Sequence, residues 1–151
     1  MINFADVIEQ HIYLTDIVNS MKEYLLLLDT DMRVIFANSA FYNAFNLKEE
    51  ETQGNYLYEL AFGQLNIREL KDLLDKAVSG NRVISDYEME HTFREIGSKV
   101  FLVNARKIQR KKKKVLLLII ADITIRKKAE NKLRESEHKY VTLVEELNSI
   151  I

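Results

Sequence analysis

Phe4, Val7, Ile8, His11, Leu14, Val18 and Met21 recur at helical spacing, while Asp6, Glu9, Asp16 and Lys22 lie mostly off that stripe. This predicts an amphipathic helix over 3–22. Its apolar side must be buried against the rest of the domain or a second copy of the chain. Residues 24–28, YLLLL, read as a strand, Asp29-Thr30-Asp31 as a turn, and 33–37 as the returning strand of a hairpin. Asn38 suits an N-cap before a short helix over 39–45 with Phe41, Ala44 and Phe45 facing inward. Residues 46–65 read as irregular, solvated at Glu49-Glu50-Glu51 and turning at Gly54, with Tyr56, Leu57, Leu60 and Phe62 tucked inward. A clear internal helix follows over 66–79. Asn66 and Glu69 make a capping-box-like start, Leu70, Leu73, Leu74 and Ala77 form one face, and Gly80-Asn81 ends it.

From Val83 the period changes to two. Tyr87, Met89, His91 and Phe93 alternate with Asp86, Glu88, Glu90 and Thr92, as in a half-buried strand. A turn at 95–98, a strand at 99–108, a basic tip at 109–114 and a last strand at 115–123 complete the set. Two strands, a helical insert and three strands give an α+β domain with one five-stranded antiparallel sheet. The runs LLLL and VLLLIIA are apolar on both faces, so both faces of the sheet are expected to be covered. The internal helices cover one face, and the N-terminal helix or a partner subunit is the economical cover for the other.

Beyond Thr124 the chain reads as one long helix. Ala129, Leu133, Ser136, Tyr140, Leu143, Leu147 and Ile150 follow a heptad seam. Glu130 with Arg134 and Glu135 with Lys139 are i,i+4 pairs in the favourable order, each contributing about 0.2–0.5 kcal/mol. The seam fits a parallel dimeric stalk, and the alternative is one helix folded back onto its own domain. The dimerisation residues are then Phe4, Val7, His11, Leu14 and Val18 at the front, and Leu133, Tyr140, Leu143 and Leu147 at the back. The units so predicted are 1–22, 23–124 and 125–151.

Composition narrows the chemistry. With 151 residues, 47% hydrophobic, the chain can bury a real core, and a formal net charge of −1 argues against a general polyanion binder. The charge is uneven: residues 29–95 carry 13 acidic and 7 basic side chains, a balance of −6, whereas 96–114 carry 8 basic and no acidic ones. Cysteine and proline are absent. Disulfides, thiolate metal sites and cysteine nucleophiles are therefore excluded. The longest apolar runs fall far short of the ~20 residues of a membrane span, and no signal-peptide pattern is present, which fits a cytoplasmic protein. No Gly-rich phosphate loop, metal-ligand spacing or nucleophile–base signature occurs, so a non-catalytic module is expected.

The order of elements, with DTDMRVIFANSAF early and ADITIRKKAENKL late, resembles a PAS domain with its C-terminal signal helix. HTFREIGSKVFLVNARKI resembles the sensory-box variant found in multidomain sensor histidine kinases. The resemblance covers 23–124. Asp122-Ile123-Thr124 matches the family's strand-to-helix triplet, and its acidic successor is replaced by Ile125. The resemblance implies a sensor or interaction module that relays ligand or partner state through Asp122, Ile123 and Thr124 to the trailing helix. It also implies a downstream effector domain in the same polypeptide, and LRESEHKYVTLVEELNSII resembles the lead-in to a second PAS domain.

The same resemblance bears on cofactors. Flavin-adduct members need a cysteine, and haem-binding members carry a histidine on or near the internal helix; 66–79 has neither. A small-molecule pocket would be lined by Phe45, Tyr56, Leu73, Tyr87, Met89, His91 and Asn104; the alternative is that the apolar ones are core and Asn104 bonds backbone. His11 fits a packed or interfacial histidine. His138 is followed by Lys139 where the phosphoacceptor motif has an acidic residue. The basic tip 110–114 could face an acidic partner, anionic lipid or nucleic acid. It has no aromatic side chains to stack bases, which makes nucleic acid and membrane the less favoured partners. A constitutive dimerisation spacer and an anionic-surface adaptor remain alternative functions.

Overall fold

The computed structural model describes residues 3–150. The elements are α1 (Phe4–Ser20), β1 (Tyr24–Leu28), β2 (Val34–Ala37), α2 (Ser39–Phe45), α3 (Glu49–Thr52), a 3-10 segment (Leu57–Gly63), α4 (Arg68–Val78), β3 (Ile84–Phe93), β4 (Gly97–Arg110), β5 (Lys113–Asp122) and α5 (Thr124–Ile150). The five strands form one antiparallel sheet in the order β2-β1-β5-β4-β3. The α+β architecture expected from the pattern is therefore the one observed. Asp29 closes the first hairpin as its side chain allows: its Oδ1 accepts from the amides of Asp31 and Arg33, both at 2.9 Å.

Alternation decides which side of each strand is buried. Leu26, Leu28, Met89, Phe101, Val103, Leu116, Leu118 and Ile120 face the helical insert and are almost completely buried, together with Phe41, Leu57, Leu70 and Leu74 from the helices. Five aromatic rings fill the centre: Tyr24 lies 5.9 Å from both Phe45 and Phe101, Phe93 lies 5.9 Å from Phe45 and 5.4 Å from Phe101, and Phe41 lies 5.1 Å from Phe45.

The opposite face is apolar but not covered. Leu25, Leu27, Phe36, Leu102, Leu117 and Ile119 are only half-buried. The expectation that α1 covers this face fails within one chain, because α1 packs against α2 and buries no residue of its own. Polar contacts fix that position. Asn38 Nδ2 donates to the Val18 carbonyl at 2.9 Å, and the Ser39 amide donates to Asn19 Oδ1 at 3.0 Å.

Four local expectations are corrected. The internal helix starts at Arg68 rather than Asn66, and its N-cap Ile67 offers no side-chain bond. Leu65 and Ile67 are both drawn into the core, which leaves Asn66 outside and breaks the capping box. Phe62 is 98% exposed, because Ala61 (φ 51°) and Phe62 (φ 59°) are both left-handed and turn the chain outward. Tyr56 is likewise not inward: its backbone pairs with Arg33, whose guanidinium sits 3.9 Å over the Tyr56 ring. The basic tip is tighter than expected, since Arg110 pairs with Lys113 and leaves only Lys111 and Lys112 in the turn.

After its first turn α5 leaves the domain. Every residue from 128 to 150 is exposed, including Leu133, Tyr140, Leu143 and Leu147, so the seam does not fold back onto its own sheet. Glu130 pairs backward with Arg126 (3.6 Å) and Lys127 (3.8 Å) instead of forward with Arg134, and among the described residues no ion pair joins Glu135 to Lys139.

Candidate functional site: the β5–α5 junction and an acidic groove

The junction of β5 and α5 is built from three elements. Asp122 Oδ1 accepts from the Thr124 amide at 3.0 Å and from the Thr124 hydroxyl. Asp122 Oδ2 pairs with Lys99 Nζ at 3.1 Å. Thr124 Oγ1 in turn accepts from the Val100 amide at 3.0 Å, and the Ile123 amide donates to the Val100 carbonyl at 2.9 Å. Ile123 and Thr124 are buried. The end of β5, the start of β4 and the first turn of α5 are thus held by one carboxylate and one hydroxyl. Partial burial pushes the Asp122 carboxyl up, but the Thr124 bonds and Lys99 outweigh it and leave the group below its ordinary range. Asp122 in return helps burial raise the Tyr24 hydroxyl. A second tie lies one turn on, where Lys127 Nζ pairs with Glu88 of β3 at 3.1 Å.

The residues expected to line a ligand pocket are not brought together. Leu73 and Met89 are buried, Met89 among the core residues. Tyr87 donates its hydroxyl to Glu69 of α4. Asn104 lies on the uncovered face, where its Oδ1 accepts from the Asp86 amide at 2.9 Å and holds the β3 bulge at which Asp86 takes φ 49°. Tyr56 is under Arg33. Phe45 and His91 line two adjoining cavities, with His91 edge-on 4.7 Å from Phe93, whereas Asn104 lines a separate cavity on the other face of the sheet.

The space that Phe45 and His91 reach is a groove between the helical insert and the β3–β4 hairpin. A cavity of about 510 Å³ is bounded by Phe45, Leu47, Leu60 and Phe62 on its apolar side and by Glu51, Glu59, Gln64 and Glu95 on its polar side. Phe62, Gln64 and Glu95 also line an adjoining cavity of about 380 Å³, which His91 and Phe93 share. Gln64 Oε1 is buried without a hydrogen-bond donor. Spacing in the sequence gave no sign of this groove, because its acidic residues come from α3, the 3-10 segment and the hairpin turn. Lys99 was visible only as the start of a strand. Among the described residues, no group of three His, Asp or Glu side chains is placed to hold a metal ion, and no helix is long and apolar enough to cross a membrane.

A family model described as PAS fold matches residues 18–128, which spans the sheet, the insert and the junction. The chain belongs to the PAS family. No curated protein matches it. The PAS domain is similar in fold to that of an HTR-like protein from Haloarcula marismortui, with a TM-score of 0.60 and 18% identity over 79% of this chain and 96% of that one. It is also similar to the PAS domain of nitrogen regulation protein NR(II) from Vibrio parahaemolyticus (TM-score 0.55, 19% identity, 73% and 97% covered). The PAS domain of BvgS from Bordetella pertussis is similar as well (TM-score 0.54, 15% identity, 87% and 98% covered).

Proposed function

We propose that this PAS domain is a cytoplasmic sensor and protein-interaction module of a signal-transduction protein. It relays the state of its groove through Asp122, Ile123 and Thr124 to α5 and an effector downstream. The observation that carries this reading is the tie at the junction: Asp122 and Thr124 bind β4, β5 and α5 together, and α5 then projects uncovered. The groove and the junction are connected by packed rings. Phe45 lines the groove and packs on Tyr24, and Tyr24 lies close enough to Asp122 to feel its charge. A relay needs two arrangements of the junction separated by a small free-energy gap, with ligand or partner favouring one.

The module acts as a homodimer. Phe4, Val7, His11 and Leu14 on α1 are exposed, Val18 is half-buried, and the α5 seam is open along its length, so apolar surface at both ends awaits a partner. Amide hydrogen exchange tests the relay. In Asp122→Ala, the first-turn amides of α5 and the Val100 amide should lose more protection than the core strands, whose loss should match the fall in global stability. Unchanged exchange at those sites would remove the junction from any relay.

A constitutive dimerisation spacer is the second reading, favoured by the aromatic cluster that fills the interior. Sedimentation with and without residues 1–22 addresses it. A spacer should lose its dimer with that segment and should not respond to any ligand.

A further inference from the structure

We propose that the outer face of the sheet, left open by its own chain, receives α1 of a second copy, so that each α1 lies between its own α2 and the partner's sheet. This rests on the homodimer reading and names the contact made at the front of the dimer. Both surfaces lack cover in the single chain. Leu25, Leu27, Leu102, Leu117 and Ile119 form an apolar patch across β1, β5 and β4 and are only half-buried. α1 packs on α2 and buries no residue of its own. At 3.6 residues per turn, Thr15 and Val18, the two half-buried residues of α1, share the side that meets the domain. Ile8 and Ile12 lie on one flank and Leu14 and Ile17 on the other, all exposed, and Asp6, Glu9 and Asp16 occupy the strip opposite the domain. A helix apolar on three sides needs cover on more than one of them.

The chain's own sheet does not supply that cover. The bonds from Asn38 to the Val18 carbonyl and from the Ser39 amide to Asn19 fasten the end of α1 beside α2, whose Phe41 and Phe45 pack on the inner face. A second copy matches in size and in charge. α1 is about 25 Å long, and residues 115–121 of β5 extend about 23 Å along the patch. α1 carries three acidic side chains and no lysine or arginine. At the hairpin end, the outer face is edged by Arg106, Arg110 and Lys113, which the register places on the same side as Leu117. All three are exposed, and none is in an ion pair among the described residues. An apolar flank with an acidic edge thus meets an apolar sheet with a basic edge. α5, the other open helix, carries both signs along its length and offers no such match. A twofold dimer makes the contact twice, each copy giving its helix and receiving the other's.

The test uses the intact chain, which has no cysteine and so takes a single spin label at Gln10→Cys. Spin-labelled chain is mixed with isotope-labelled chain that carries no spin label, and nuclear magnetic resonance reads the second. The amides of Leu27, Leu117 and Ile119 should broaden, and those of α4 should not. R106E/R110E/K113E should unfold at the same urea concentration as the parent and raise the dimer dissociation constant, measured by sedimentation, about tenfold or more. E9K/D16K should act in the same direction, and the chain carrying both sets should recover most of the loss. Broadening confined to α1 and α5, an unchanged constant for R106E/R110E/K113E, or a combined chain no tighter than either set alone would overturn the contact and leave the homodimer standing. Sedimentation as a monomer at the concentrations of the resonance experiment would sink both. Absent broadening with sheet amides shifted by phosphatidylglycerol vesicles would overturn the contact by giving the face to a lipid surface.

Discussion

Asn38 is 0% exposed and its side chain makes four hydrogen bonds. Oδ1 accepts from the Leu25 amide (3.1 Å) and the Phe41 amide (3.3 Å), and Nδ2 donates to the carbonyls of Val18 (2.9 Å) and Glu23 (2.9 Å). One side chain therefore joins the end of α1, the start of β1 and the first turn of α2. Asn38→Ala leaves two amides and two carbonyls without these partners around a side chain that is itself fully buried. At about 1 kcal/mol net per bond, the loss is about 3–4 kcal/mol, a large share of the roughly 5–15 kcal/mol that holds a domain folded. Asn38→Asp keeps the acceptor but sets a carboxylate against two carbonyl oxygens, so at neutral pH it should cost at least as much. Urea unfolding followed by circular dichroism measures both. Asn55→Ala is the control, because that side chain makes one exposed bond, to the Glu51 carbonyl at 2.7 Å, and should cost less than about 1 kcal/mol. If Asn38→Ala were no more costly than Asn55→Ala at an unchanged denaturant slope, Asn38 would not be the hub described.

Other substitutions give distinct outcomes. Asp122→Ala loses the Thr124 bonds and the Lys99 pair and should destabilise by about 2 kcal/mol in the same urea assay, with Asp122→Asn intermediate because it keeps an acceptor. Because the folded carboxyl lies below its ordinary 3.8, the Asp122 contribution is full above that value and lost as pH falls through the lower folded one. The gap between parent and Asp122→Ala should therefore close only at strongly acid pH, and a gap that closes between pH 5 and 7 would assign the effect to another group. Phe62→Gly should leave stability within about 0.5 kcal/mol, since relief of a left-handed side chain offsets the entropy of glycine, whereas Phe41→Ala should cost about 3–5 kcal/mol by calorimetry. Replacing Lys111–Lys114 with serine should change the unfolding midpoint very little, because none of those side chains is in an ion pair among the described residues.

The strands were legible because alternation and unbroken apolar runs survive in the sequence wherever one face must be buried. The long free helix was legible in its heptad spacing and polar faces. Asn38 was legible as a cap but not as a hub, since its partners lie up to 20 residues away. The left-handed pair Ala61-Phe62 carries no residue that favours that conformation, so nothing in the pattern warned that Phe62 points outward. The groove was hidden for a related reason: Glu51, Glu59, Gln64 and Glu95 belong to three segments that only the fold places side by side. Asn104 shows the converse: of the two readings open to it, pocket lining or a bond to backbone, the structure shows the bond to backbone, to the Asp86 amide at the β3 bulge.

The central claim, that β5 and α5 move as one piece because Asp122 and Thr124 lock their junction, is tested most directly by electron spin resonance distances between labels at Glu90 on β3 and Glu137 on α5, in labelled chain diluted with unlabelled. The parent should give one narrow distance distribution, and Asp122→Ala a broad one while its core still unfolds cooperatively. Distributions of equal width in the two proteins would contradict the lock.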